Sequence, residues 1–260
     1  MSSFIRRVKA DHRIPDSDSG SPSLSLSRDV NMGRQDSSGP TIAVRVPIAN
    51  QWLDGNLGMP PQPHGVVLFA HGSGSSRHSP RNQFVARTLE RRGFASLLID
   101  LLTPAEEAVD NRTAELRFDI GMLAGRLVAV IDWLHRRPDT ASLPIGLFGA
   151  STGGGAALMA AAARPQAVAA VVSRGGRPDL AGEALAKVAT PTLLIVGGFD
   201  TPVIQMNRDA MKQMRGDVKL EIVPGATHLF EEPGTLEQVA ELAGNWFARY
   251  LQPALSTRRG

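Results

Sequence analysis

The most constraining stretch of the chain runs from Leu143 to Leu158, where an apolar strand pattern breaks at Gly149-Ala150-Ser151-Thr152-Gly153 and resumes as an Ala-rich helix. A serine at such a strand-to-helix corner sits in a strained backbone conformation. Side chains two positions to either side would collide with its neighbours, which explains glycine at 149 and 153. The helix that follows aims its positive end at Ser151, where an oxyanion would form. The G-x-S-x-G spacing therefore marks Ser151 as a candidate nucleophile. The same glycines, with Gly155, also fit the Gly-rich turn of a short-chain dinucleotide-binding enzyme, so the turn alone leaves two chemistries open.

Position and partners separate them. A dinucleotide turn belongs after the first strand, whereas this one follows several strand and helix patterns. Short-chain reductases also need a Tyr and a Lys four apart; the only tyrosine, Tyr250, lies near the end of the chain with no lysine after it.

Around the corner, apolar runs of strand length alternate with helical periods. Thr41 to Ile48 alternates like an edge strand, with Pro47 tolerated there, and Asp54-Gly55 reads as a turn. Residues 65–70 and 94–102 read as buried parallel strands, with a helix from Ser79-Pro80 to Gly93 between them. Glu106, Glu107 and Asp110 are assigned to a loop. Leu116 to Leu134 repeats at helical spacing. Further strands are expected at 167–173, 192–196 and 219–223, and helices at 180–188, 204–214 and 236–251. Such alternation means an α/β fold with a mostly parallel central sheet covered by helices on both faces. Residues 41–255 read as one domain. Residues 1–40, rich in Ser, Asp and Arg with no sustained apolar period, read as a disordered tail, and 256–260 as a short basic tail.

Composition removes several classes. With no cysteine there is no disulfide, Cys-ligated zinc, iron–sulfur cluster or thiol nucleophile. Glu106 and Glu107 have no metal partner by spacing, so neither metal nor cofactor is expected. The net charge of +3 is spread over short Arg pairs and aromatics are 5%, which argues against a nucleic-acid partner. No run approaches the roughly 20 apolar residues of a membrane span, and the N-terminus lacks a signal-peptide core, so the expectation is a cytoplasmic protein with no membrane partner.

Ligands of such a sheet gather at the C-terminal ends of its strands. An activated serine there needs a base, oriented in turn by a carboxylate. After Ser151 the chain holds one histidine, His228, in the loop after the last strand; between them Asp200 ends a strand after Gly197-Gly198. Asp179, one strand earlier, is the alternative acid. The backbone N–H of Thr152 and one from His71-Gly72-Ser73-Gly74, with Ser73 favoured, are the expected oxyanion donors. On this reading the Thr152 side chain is free to vary, and His71 is a structural part of its loop.

Residues 66–74, 149–153, 196–200 and 224–228 together resemble the dienelactone-hydrolase-like branch of the α/β-hydrolases, over roughly residues 41–252. The resemblance implies Ser151 as nucleophile, Asp200 as acid, His228 as base, and hydrolysis of esters or lactones. Dienelactone hydrolases proper carry a cysteine nucleophile and this chain has none, which directs the expectation to serine-esterase relatives. The connection after Ser173 has no room for a lid domain, so an open site for a small or medium soluble ester or lactone is expected. Arg174, with Arg77 and Arg81 beside the oxyanion loop, is expected to favour an anionic substrate. The competing classes are a non-catalytic binding protein of the same fold and an acyltransferase using the same triad.

Overall fold

The computed structural model describes residues 39–251; the tails expected at the two ends fall almost wholly outside them. Eight strands form one sheet in the order β1-β2-β4-β3-β5-β6-β7-β8. They are β1 (Thr41–Ile48), β2 (Gln51–Gly58), β3 (Val66–Ala70), β4 (Ala95–Ile99), β5 (Ile145–Ala150), β6 (Val168–Arg174), β7 (Thr192–Gly197) and β8 (Val218–Val223). β2 runs antiparallel to β1 and β4, while β3 to β8 are mutually parallel. The helices are α1 (Pro80–Arg91), α2 (Pro104–Thr113), α3 (Ile120–Leu134), α4 (Thr152–Ala163), α5 (Thr201–Met211) and α6 (Thr235–Tyr250). This is the expected α/β-hydrolase architecture.

Every residue of β3, β4 and β5 is buried, as continuous apolar runs in a doubly covered sheet require. Period-two alternation divides them between two cores. Val66, Leu68 and Ala70 face the layer holding Leu127, Ile131 and Leu158 of α3 and α4. Val67 and Phe69 face Leu89 of α1 and Phe247 of α6, where Phe69 and Phe148 pack with ring centroids 4.9 Å apart. The central strands are thus clamped from both sides, and their C-terminal ends form a rigid platform.

Two local expectations are corrected. Asp54-Gly55 is not a turn but the middle of β2; the hairpin reverses at Ala49-Asn50, with Ala49 at φ 45°. Register decides this: Asp54 lies opposite Arg45, and Gly55 lets β4 approach, since a Cβ there would come 2.8 Å from Ile99 Cδ1. The segment with Glu106 and Glu107 is helix α2, not a loop. Pro104 starts it, and Thr103 and Glu106 cap one another reciprocally.

Candidate active site

Ser151 sits between β5 and α4 at φ 50°, ψ −123°. For a non-glycine residue this is a strained conformation, sustained only because its surroundings over-determine it. The flanking glycines show how. A Cβ on Gly149 would stand 2.5 Å from the Gly153 carbonyl oxygen, and one on Gly153 would strike the carbonyl oxygens of Ala70 and His71. Ser151 N–H donates to the Arg174 carbonyl at 3.2 Å, and its own carbonyl accepts from the N–H groups of Gly154 and Arg177. The corner is therefore tied to β3, to β6 and to the first turn of α4.

Asp200 occupies the cap position of α5, where an aspartate ordinarily bonds the first-turn N–H groups, yet its side chain makes no cap bond. Its carboxylate reaches instead to His228, whose Nδ1 is 2.6 Å from Oδ2. A carboxylate can only accept, so Nδ1 carries the proton and Nε2 is left as the basic nitrogen. The two loops meet because Gly197 has no side chain: a Cβ there would lie 2.5 Å from the carbonyl oxygens of both Ala226 and Thr227. Phe199 N–H binds the Ala226 carbonyl at 2.9 Å, and Glu232 accepts the Thr227 N–H at 3.0 Å, fixing the turn before His228. The His228 loop lies against Gly175, next to Arg174; a Cβ on Gly175 would be 3.5 Å from His228 Cε1. Ser151 and His228 themselves share no hydrogen bond in this structure. Catalytic bonds of this kind are often long before substrate binds. The alternative acid, Asp179, pairs with Arg177 at 2.7 Å.

Ser73 N–H does not stand free above the serine. It donates to Thr152 Oγ1 at 2.9 Å, across 79 residues of sequence. Thr152 is 4% exposed and its hydroxyl oxygen is engaged, so its side chain is held by its surroundings rather than free to vary. Gly72 touches Ser151, since a Cβ there would be 3.0 Å from Ser151 Cβ. His71 is half-buried; its Nδ1 faces the Gly72 carbonyl at 3.0 Å and its Nε2 accepts the Leu101 N–H at 3.0 Å. Burial pushes its pKa down, against the opposing Gly72 bond and the Asp100 and Glu107 charges, so it is a neutral brace for the loop.

The three arginines part company. Arg77 is spent on Asp100, through its guanidinium and through its backbone N–H at 2.6 Å. Arg81 pairs with Glu231 at 3.2 Å on the surface. Arg174 is 7% exposed and has no carboxylate partner among the described residues; Nη2 binds Asn82 Oδ1 at 3.3 Å and Phe230 lies beside it, its ring centroid 6.0 Å from Cζ. Its Nε and Nη1 have no partner among the described residues. Burial, and then the nearby Arg81 charge, pull its pKa down to about 10, which leaves it a cation at neutral pH.

Ser151 thus stands at positive φ between two glycines that no other residue could replace without a clash, and a histidine–carboxylate pair occupies the loops after β7 and β8. The dienelactone hydrolase family model matches residues 53–252. The chain belongs to the dienelactone hydrolase family. A crystal structure of a dienelactone hydrolase from Anabaena variabilis is 60% identical, with a TM-score of 0.81, over 83% of this chain and 100% of that one. Est1E from Butyrivibrio proteoclasticus, 18% identical over 80% of this chain and 98% of its own, shares the fold with a TM-score of 0.66. Two curated proteins of Mycobacterium tuberculosis, provisionally named phosphoribosyl transferases, are 59% identical over 210 residues, which is 81% of this chain and 45% of theirs. The chain thus spans about half the length of the curated relatives it matches. Family and fold together support a hydrolase.

Proposed function

We propose that this family member hydrolyses a carboxylic ester or lactone of a small or medium soluble substrate, with Ser151 as nucleophile, His228 as base and Asp200 as its orienting acid. The observation that carries this is the 2.6 Å contact between His228 Nδ1 and Asp200, next to a serine held at φ 50°. Ser151 Oγ attacks the carbonyl carbon while its proton passes to His228 Nε2. The tetrahedral intermediate collapses, and the leaving alcohol takes that proton. Water, deprotonated by His228, then attacks the acyl-enzyme, and Ser151 leaves with the proton returned. Asp200 keeps the imidazole in the required tautomer and stabilises its charged form. Wild type should turn over p-nitrophenyl acetate and Ser151→Ala should not; equal background rates in both would reject the reading. A fluorophosphonate adduct mapped to Ser151 is the complementary expected result.

Arg174 supports a preference for esters carrying an anionic group, because its buried charge lacks a carboxylate while Arg77 and Arg81 each have one. Paired esters with and without a carboxylate should differ in kcat/KM, and Arg174→Ala should narrow the difference. An unchanged ratio would sink the preference.

The transferase name of the mycobacterial relatives gives a second reading. We assign that name to the part of those proteins this chain does not span, since the matched part carries the serine corner. On that assignment, a phosphoribosyl diphosphate donor incubated with this chain is not consumed; its consumption would reverse the assignment.

A further inference from the structure

The bond between Ser73 N–H and the Thr152 hydroxyl changes what each residue can offer a substrate. Gly72 to Ser75 form a tight turn, with Ser75 N–H on the Gly72 carbonyl at 3.2 Å and Gly74 at φ 68°. That turn aims Ser73 N–H across the site at the start of α4. Thr152 is the first residue of α4, directly after the nucleophile. N–H groups of a first helical turn have no intrahelical acceptor, so the Thr152 N–H is available to an oxyanion. The side chain of the same residue begins one bond away. A hydroxyl has one proton to give and two lone pairs to receive with. Here one lone pair takes the Ser73 N–H at 2.9 Å, and among the described residues the hydroxyl proton has no acceptor. That proton cannot point at Ser73, whose N–H already points at the oxygen.

We propose that Thr152 supplies two oxyanion donors, its backbone N–H and its side-chain O–H, and that Ser73 N–H stands behind the hydroxyl, orienting and polarising it. A donor that itself accepts a hydrogen bond is strengthened by it. Ser73 is then a positioning residue, and the Thr152 side chain a catalytic one. The inference rests on Ser151 being the nucleophile, but not on which ester is cleaved. It also gives a reason for the 4% exposure of Thr152: its hydroxyl is fixed before substrate arrives, so no reorganisation is needed as charge develops.

The test compares wild type, Thr152→Val, which keeps the shape and loses the hydroxyl, and Thr152→Ser, which keeps the hydroxyl. Steady-state hydrolysis of p-nitrophenyl acetate is measured beside the inhibition constant of phenylboronic acid, which forms a tetrahedral adduct on the serine. Removing one oxyanion donor costs roughly 100-fold or more in kcat. Thr152→Val should therefore lose on that order in kcat with little change in KM, and its affinity for the boronic acid should weaken in parallel. Thr152→Ser should recover most of both. If Thr152→Val is as fast as wild type or faster, the hydroxyl only occupies the Ser73 N–H, and the proposal is overturned. If Thr152→Ser is as slow as Thr152→Val, the loss is one of packing, which also overturns it. A wild type no faster than Ser151→Ala would be a different result: it removes the hydrolase reading and this proposal with it.

Discussion

Ser151, Asp200 and His228 draw their positions from residues that have no side chain. Gly149 and Gly153 admit the strained corner, and Gly197 admits the approach of the Asp200 loop to the His228 loop. Asp200, the proposed acid, is the most exposing place to test the proposed chemistry. In Asp200→Asn the amide can donate as well as accept, so it no longer forces the proton onto Nδ1 and no longer balances an imidazolium. On that proposal kcat falls by about 10,000-fold at neutral pH with the fold intact, the loss that this substitution causes in a serine–histidine–aspartate triad. A loss of tenfold or less would move the acid's role elsewhere, with Asp179 the next variant to measure. His71 makes a different prediction. Its folded pKa is lowered, chiefly by burial, so between the folded value and the unfolded value of about 6.5 the unfolded chain binds the extra proton. Stability from this group is present above about pH 6.5 and lost as pH falls. The melting temperature of wild type should drop more between about pH 7.5 and 5.5 than that of His71→Asn; equal drops would show that His71 is not the group responsible.

At the scale of elements, the outcome depended on how local the signal was. The buried strands and the α1 and α6 periods were legible, because a continuous apolar run of strand length and a helical repeat are each set by neighbours in sequence. Helix α2 was missed although its start is written in Thr103-Pro104 and Glu106: the acidic face of this segment hid a capping box behind a loop-like composition. That cap is measurable. Thr103→Ala removes the side-chain bond to the Glu106 N–H while its own backbone N–H still reaches the Glu106 carboxylate, and should cost about 1 kcal/mol in urea unfolding. No loss would mean that the Arg126 contact to Glu106, at 2.5 Å, holds the helix start by itself. The β1–β2 reversal was misplaced for the opposite reason. Asp-Gly is a common turn pair, but here the glycine answers to β4, an element about 40 residues further on that no local rule sees.

At the scale of the fold, the sheet delivers the ends of β3, β5, β6, β7 and β8 to one edge, where β5 passes into α4 with only Ser151 between them and β7 passes into α5 through residues 198–200. The connection from β6 to β7 is covered by a 3-10 segment, Pro178–Lys187, rather than by a lid. Hydrolysis of p-nitrophenyl butyrate should accordingly follow a simple saturation curve; a jump in rate where the ester begins to aggregate would reveal a cover that moves. Sequence alone determined the order of the candidate residues, a serine after β5, an aspartate after β7 and a histidine after β8. It could do so because strand alternation, the glycine corner and the last histidine are all properties of short stretches. Tertiary structure alone decided the pairings. Asp100 holds Arg77 in an ion pair, Arg174 is buried with no carboxylate partner among the described residues, and the Thr152 hydroxyl oxygen receives the Ser73 N–H. Each of those outcomes is a choice among competing donors and acceptors far apart in the chain, and only the packed fold fixes which of them lie within hydrogen-bonding distance.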